Sequence, residues 1–135
     1  MTDDAINTIV AKYVGVPFKH NGRELDDGLD CLGLIYCLYK DLGIEFPSDD
    51  GEPIAEDWHK TDPDRYIRNL LVLGKSAETP RKLDLVYFYM KGAVRHAGIM
   101  VDDNRFIHTL TNRNSRITRL AKYWSYALAG VRRMI

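Results

Sequence analysis

The hydrophobic period of the sequence changes at Pro80, and this change constrains the fold more than any other feature. Before Pro80, apolar residues recur three and four positions apart, which predicts helices over residues 3–13, 31–42 and 62–74. After Pro80, short runs rich in β-branched and aromatic residues predict strands over residues 83–90, 96–101, 105–109, 115–120 and 127–134. Helices followed by antiparallel strands predict an α+β fold, in which N-terminal helices pack on a sheet of about five strands.

Length and composition exclude several classes of protein. The chain has 135 residues and a formal net charge of +0, so we expect one domain over residues 1–135 and find no argument for nucleic-acid binding. No apolar run approaches the roughly 20 residues of a membrane span. Two cysteines are too few for a disulfide framework, and the N-terminus lacks the basic and apolar segments of a secretory signal. We therefore expect a protein made in the cytoplasm that does not use the standard export route.

Cys31 is the strongest candidate for chemistry in the sequence. It stands where a polar, glycine-containing loop gives way to the apolar pattern of the second helix, so it occupies the first turn of that helix. Unused backbone N–H groups and the helix dipole favour a thiolate there, and the thiolate is the nucleophilic form of cysteine. Taken alone, such a cysteine is equally often a small buried hydrophobe. Cys37, inside the same helix, is predicted to belong to the core.

His96 and His108 are candidates for a base and for the group that orients it. If residues 102–104 form a tight turn, counting outward pairs Gly98 with His108. His108 then lies two positions from His96 on the same face, within diagonal reach, and we expect both rings to face the second helix. With Cys31 these histidines also suggest a zinc site, but a fourth ligand is lacking, so we expect no metal and no cofactor.

Six segments together resemble one known family. They are YVGVPF (residues 13–18), NG (21–22), GLDCLGL (28–34), LDLVYF (83–88), HAGIM (96–100) and RFIH (105–108). In this order they resemble the NlpC-type cell-wall cysteine peptidases, which are compact papain-like enzymes, over about residues 5–133. The resemblance implies that Cys31 is the nucleophile, His96 the base and His108 the group that orients His96. It also implies cleavage of peptidoglycan stem peptides, at the amide between the γ-carboxyl of D-glutamate and a diamino acid.

Two positions depart from the pattern of this family. Many relatives have serine where Leu32 follows the candidate nucleophile, and many have tyrosine where this chain has Phe18. The family's tyrosine hydroxyl contributes to the oxyanion site, and Phe18 has no such donor. The backbone N–H of Cys31, or Tyr13 as a substitute, must then carry more of the stabilisation. One missing donor costs about 10²–10³ in rate, so the departure affects turnover more than the identity of the triad.

We predict a substrate-binding set around the candidate nucleophile, consisting of Phe18, Lys19, Arg23, Asp30 and Arg95. A stem peptide is short, polar and anionic, so the three cations are suited to meet its carboxylates. Each cation has the alternative of being a solvated surface charge. Loops at residues 18–29 and 47–62 are expected to line a polar cleft.

Other functions use the same residues. A Cys–His–His acyltransferase acting on lipids, or an amidase, would share this layout, and a non-catalytic tail or assembly protein would retain the fold without the reaction. A domain of this size with Trp124, Tyr126 and a Gly-Val-Arg-Arg ending is similar to peptidases attached to phage tails or phage-like particles. The expected partners are therefore a peptidoglycan stem peptide and phage tail proteins, and the expected location is the cytoplasm or the virion.

Overall fold

A computed structural model describes residues 1–46 and 70–135 of the chain. Its helices are α1 (Asp3–Ala11), α2 (Cys31–Asp41) and α3 (Tyr123–Ala127). Its strands are β1 (Arg23–Glu24), β2 (Gly28–Leu29), β3 (Lys75–Ala77), β4 (Leu85–Met90), β5 (Ala93–Met100), β6 (Arg105–His108), β7 (Arg116–Arg119) and β8 (Leu128–Arg133). The loop predicted over residues 47–62 and residues 62–69 of the helix predicted over residues 62–74 lie outside the described residues. Of the rest of that predicted helix, Leu70 is helical and residues 71–74 are not.

The main sheet has six strands in the order β3-β8-β4-β5-β6-β7, and every neighbouring pair is antiparallel. The predicted α+β class is confirmed, with one strand more than the five expected. The additional strand is β3, in a segment for which the sequence predicts neither a helix nor a strand. It is short and polar, and its pairing with β8 comes from the far end of the chain, so its own residues carry little strand signal.

Helix α2 begins and ends where the sequence predicts. Asp30 is its N-cap, and the Asp30 carboxylate accepts a hydrogen bond from the backbone N–H of Gly33 at 2.8 Å. Gly43 follows the helix with φ +77°, a left-handed conformation that suits glycine. Cys31 is therefore the first residue of α2. Among the described residues, neither α2 nor another helix is long and apolar enough to cross a membrane.

Two hydrophobic clusters lie on opposite faces of the sheet. The helix-side cluster joins α1 and α2 to one face and includes Leu34, Ala97 and Ile107. The aromatic-side cluster covers the other face, beneath α3, and includes Val86, Phe88, Met100, Phe106, Ala127 and Val131, with Trp124 packed against it. Because successive side chains of a strand point to opposite faces, each of β5 and β6 contributes to both clusters.

The β5–β6 hairpin has the register that the sequence predicts. Ile99 pairs with Ile107 and Met100 with Phe106, which brings Gly98 opposite His108. A Cβ atom on Gly98 would lie only 2.6 Å from the carbonyl oxygen of Ile107. Glycine at this position therefore allows the two strands to approach closely beside His108.

Candidate active site

The start of α2 is fixed by a network around Asp30. One carboxylate oxygen of Asp30 accepts hydrogen bonds from Gly33 N and from Arg23 Nη1, each at 2.8 Å, and the other accepts from Asn21 N at 2.9 Å. Three donors thus tie the preceding loop to the first turn of the helix. Cys31, the next residue, is half-buried and packs against the helix-side cluster. Asp30 and Arg23, both predicted to bind substrate, are placed here as the frame that holds Cys31.

Two glycines let the loop lie directly on the first turn of α2. A Cβ atom on Gly33 would stand 1.9 Å from the carbonyl oxygen of Gly22, and one on Gly22 would stand 2.1 Å from the carbonyl oxygen of Gly28. Any side chain at these positions would push the loop away from the helix. The glycine two residues after Cys31 is therefore a steric requirement for the position of the thiol.

His96 and His108 form a direct hydrogen bond. Nε2 of His96 lies 2.7 Å from Nδ1 of His108, and the two side chains are 4% and 1% exposed. The predicted pairing of these histidines on adjacent strands is thus found in the structure. Since the bond uses Nε2 of His96, its Nδ1 is the atom through which His96 would act as a base.

The two rings face the aromatic-side cluster, whereas the sequence led us to expect that they face the second helix. The His96 ring centroid lies 5.9 Å from that of Phe88 and 5.5 Å from that of Trp124, and the His108 centroid lies 4.4 Å from that of Phe106. The body of α2 covers the opposite face of β5. The difference arises because the pairing of His96 with Phe88 puts both side chains on the face away from α2.

Burial keeps both imidazoles neutral at pH 7. Burial, followed by the neighbouring His108, lowers the pKa of His96 to about 3. Burial, followed by the positive charge of Arg116, lowers the pKa of His108 to about 4. A neutral imidazole has one N–H and one lone pair, so the bond between the two rings needs one ring to donate and the other to accept. A neutral His96 is the form that can take up a proton.

The remaining predicted residues have different surroundings. Phe18 is half-buried, and Lys19 forms an exposed ion pair with Asp27. Arg95 is half-buried on β5, next to His96 in the chain. The role of these residues in substrate binding stays a prediction.

Tyr13 does not lie where it could replace the missing hydroxyl at Phe18. Its hydroxyl donates to the carboxylate of Asp41 and lies 3.2 Å from the carbonyl oxygen of Cys37. Asp41 is the last residue of α2, about 15 Å along the helix from Cys31 at the usual rise per residue. Tyr13 is therefore bound at the wrong end of the helix, and the suggestion that it serves the oxyanion site was wrong.

Three residues near the histidine pair were not predicted from the sequence to lie there: Trp124, Arg116 and Thr118. Thr118 Oγ1 lies 2.8 Å from Nε2 of His108, and Arg116 pairs with His108 across β6 and β7. The alternation of β7 would have placed both near His108, but only once its register with β6 was known. Trp124 belongs to the short helix α3, which the sequence did not predict.

The zinc alternative has no geometric support in the described part of the chain. No three His, Cys, Asp or Glu side chains of residues 1–46 and 70–135 cluster in a way that could hold a metal ion. The described residues therefore include a histidine pair and a helix-start cysteine but no ligand set for zinc.

The sequence matches a profile of the NlpC/P60 family over residues 15–133. The chain belongs to the NlpC/P60 family. It is 31% identical over 139 residues to murein DD-endopeptidase MepH of Escherichia coli (strain K12), an alignment that covers 99% of this chain and 46% of MepH. It is 30% identical over 129 residues to the gamma-DL-glutamyl hydrolase of Bacillus subtilis (strain 168), covering 90% of this chain and 27% of the hydrolase.

A solved structure of an NlpC/P60 protein has the same fold. The crystal structure of an NlpC/P60 family protein from Bacillus cereus superposes with a TM-score of 0.72 at 25% identity, covering 99% of this chain and 40% of that chain. The family and fold predicted from the sequence are thus confirmed. This NlpC/P60 chain spans less than half the length of the two relatives and of this solved chain.

Proposed function

We propose that this NlpC/P60 protein is a cysteine peptidase that hydrolyses amide bonds in the stem peptides of peptidoglycan. The observation that carries the proposal is the buried hydrogen bond of 2.7 Å between His96 Nε2 and His108 Nδ1, on the sheet against which the helix that begins with Cys31 packs. An oriented, neutral imidazole and a thiol at a helix N-terminus are the two groups that a cysteine peptidase requires. MepH, whose name describes an endopeptidase of murein, supports the choice of substrate.

In the proposed reaction, the sulfur of Cys31 attacks the carbonyl carbon of the scissile amide while Nδ1 of His96 takes the thiol proton. A carbon–sulfur bond forms, and the carbonyl oxygen becomes an oxyanion that accepts from the backbone N–H of Cys31. The carbon–nitrogen bond then breaks as His96 passes its proton to the leaving amine. Water, deprotonated by His96, hydrolyses the thioester to a carboxylic acid and restores the thiol.

The reaction requires the sulfur of Cys31, at the N-terminus of α2, to approach Nδ1 of His96. The body of α2 lies on the helix side of the sheet, whereas the histidine rings lie on the aromatic side. We propose that Cys31, as the first residue of the helix, reaches Nδ1 of His96 where the two faces adjoin near the start of β5. His108 would hold the imidazole of His96 in this orientation through Nε2.

For the bond that is cleaved, we propose the amide between the γ-carboxyl of D-glutamate and the diamino acid. The B. subtilis relative, named a gamma-DL-glutamyl hydrolase, supports a γ-glutamyl bond, whereas the name of MepH indicates a bond between two D-residues. Arg116 is an exposed cation opposite His108 in the register of β6 and β7, and it is suited to meet a carboxylate of the stem peptide. Arg95, Arg23 and Lys19 remain further proposed contacts.

Mass spectrometry of peptidoglycan digested with the protein tests this proposal. We expect fragments with a new D-glutamate γ-carboxylate and a new free amine on the diamino acid, and none of them with Cys31→Ala. Fragments cut between two D-residues would refute the proposed bond but would still support the proposal that the protein is a peptidase. If peptidoglycan stays uncut while an acyl group is transferred from a lipid, the protein is a Cys–His–His acyltransferase instead.

We also propose that the domain works on a phage tail or phage-like particle. The support is the C-terminal segment with Trp124, Tyr126 and the Gly-Val-Arg-Arg ending, which resembles peptidases attached to such particles. Purified particles should contain the protein at a fixed ratio to the tail proteins, as measured by proteomic analysis. Its presence only in the cytoplasmic fraction of the producing cells would contradict this setting.

A further inference from the structure

We propose that Thr118 is a positioning residue, whose hydroxyl accepts the Nε2–H of His108 and so selects the tautomer in which His96 can take a proton from Cys31. This inference rests on the proposed function, because it assigns a role to Thr118 within the same reaction. It extends the histidine pair by one side chain on a third strand, β7.

The contacts of His108 support the proposal. Nδ1 of His108 lies 2.7 Å from Nε2 of His96, and Nε2 of His108 lies 2.8 Å from Oγ1 of Thr118. Both nitrogens of a ring that is only 1% exposed are therefore engaged by protein groups. Thr118 is half-buried and lies on β7, which pairs directly with β6, so the sheet itself fixes the distance.

The number of protons on His96 and His108 determines the direction of each hydrogen bond from His96 through His108 to Thr118. To act as a base, neutral His96 needs its lone pair on Nδ1 and therefore has its proton on Nε2. That proton is donated to Nδ1 of His108, which must present a lone pair. The proton of neutral His108 is then on Nε2, and Thr118 Oγ1 is the described acceptor within hydrogen-bond distance.

The opposite tautomer prevents catalysis. If His108 had its proton on Nδ1, it would donate to Nε2 of His96, and the proton of His96 would then occupy Nδ1. His96 could no longer accept a proton from the thiol. A buried N–H without an acceptor is disfavoured more than a buried lone pair without a donor. Removing the Thr118 hydroxyl should therefore shift His108 toward this inactive tautomer.

Three variants separate this role from a merely structural one. Thr118→Val keeps the shape of the side chain without its hydroxyl, and Thr118→Ser keeps the hydroxyl. Thr109→Val is a matched control, because the Thr109 hydroxyl is also next to His108 in the chain but donates to the carbonyl oxygen of Arg113 at 3.0 Å. The tautomers of His96 and His108 are read from long-range ¹H–¹⁵N correlation spectra of the labelled full chain.

In the wild-type protein we expect Nε2 protonated and Nδ1 unprotonated on both histidines. Thr118→Val should add the Nδ1-protonated form of His108 and lower kcat by about 10- to 100-fold, with little change in KM; the range is the one found when the hydrogen-bond partner of a metal-binding histidine is removed. Thr118→Ser should restore both readouts, and Thr109→Val should change neither.

A wild-type spectrum with the proton of His108 on Nδ1 would overturn the proposal, and it requires no variant to fold. Wild-type kcat in Thr118→Val would also overturn it. The tautomers are measured without turnover, so a protein that hydrolyses no peptidoglycan yet shows the expected shift in Thr118→Val would refute the peptidase while supporting the role of Thr118.

Discussion

The indole of Trp124 stands edge-on to the imidazole of His108, with ring centroids 4.9 Å apart and planes inclined by 78°. The ring centroid of Trp124 also lies 5.5 Å from that of His96, and its indole packs on Phe88 and Phe106. One side chain of α3 therefore covers both histidines. This cover contributes to the burial that lowers the pKa values of His96 and His108. The position of α3 is thus tied to the protonation state of the candidate base.

We expect Trp124→Ala to raise the pKa of both histidines toward the ordinary value near 6.5, because desolvation by burial is the main cause of their lowered pKa. The free energy of unfolding should fall by about 0.5–3 kcal/mol, since a half-buried aromatic contact is lost. An NMR titration of the imidazole resonances measures the first effect. Tyr126→Ala is the control, because Tyr126 is 90% exposed on the same helix. Unchanged histidine pKa values in Trp124→Ala would show that Trp124 does not shield the pair.

The two cysteines should differ in reactivity toward iodoacetamide. Burial, followed by the charge of Asp41, raises the pKa of Cys37, and its sulfur lies 3.1 Å from the carbonyl oxygen of Arg23. Cys31 is at the N-terminus of α2, where backbone N–H groups favour the thiolate. We expect Cys31 to be alkylated at least about tenfold faster, as measured by peptide mass spectrometry over time. Equal, slow labelling of both cysteines would contradict an activated Cys31.

The stability of the protein should decrease in mild acid because of the histidine pair. The folded-state pKa values of His96 and His108 are about 3 and 4, whereas an exposed histidine titrates near pH 6.5. The unfolded chain therefore binds more protons as the pH falls below about 6.5, and the stabilisation present above that pH is lost progressively toward pH 4 and 3. Thermal melts between pH 7 and 4 should show a steeper decrease in Tm for the wild type than for His96→Asn/His108→Asn. Parallel slopes would assign the acid sensitivity to other groups.

Asp30 should affect both stability and activity, because it caps α2 and fixes Cys31. Asp30→Ala removes the acceptor for Gly33 N and the ion pair between Arg23 and Asp30. We expect a loss of about 0.5–2 kcal/mol from the cap alone, measured by urea unfolding, together with a fall in peptidase activity. Thr2→Ala is the matched control, since Thr2 caps α1 through Ala5 N, at the other helix. If Thr2→Ala reduced activity as much as Asp30→Ala, the effect would reflect general destabilisation.

Local features of the site were predictable from the sequence. The start of α2 at Cys31 follows from the Asp30 cap, and the register of His108 follows from a short turn within one hairpin. These features depend on residues close together in the chain, whose turn and cap preferences are encoded locally.

Features that depend on distant pairing were not predictable. The contact between Thr118 and His108 can be predicted only when the register of β6 and β7 is known. The strand β3 forms by pairing with β8, which lies near the C-terminus. The face occupied by the histidine rings depends on the pairing of His96 with Phe88 and on the docking of α3. The period of the sequence shows that successive side chains of a strand point to opposite faces, but it does not show which layer of the fold covers each face.

The most direct test of the proposed peptidase compares how fast the wild type, Cys31→Ala, His96→Ala and His108→Ala release new amines from purified peptidoglycan. We expect no release by Cys31→Ala and a nearly equal loss in His96→Ala, because a nucleophile and its base act as a unit. His108→Ala should lose about 10²-fold, at the lower end of the effects of proton-transfer groups, since it orients the base. Amine release by Cys31→Ala at the wild-type rate would contradict the assignment of Cys31 as the nucleophile.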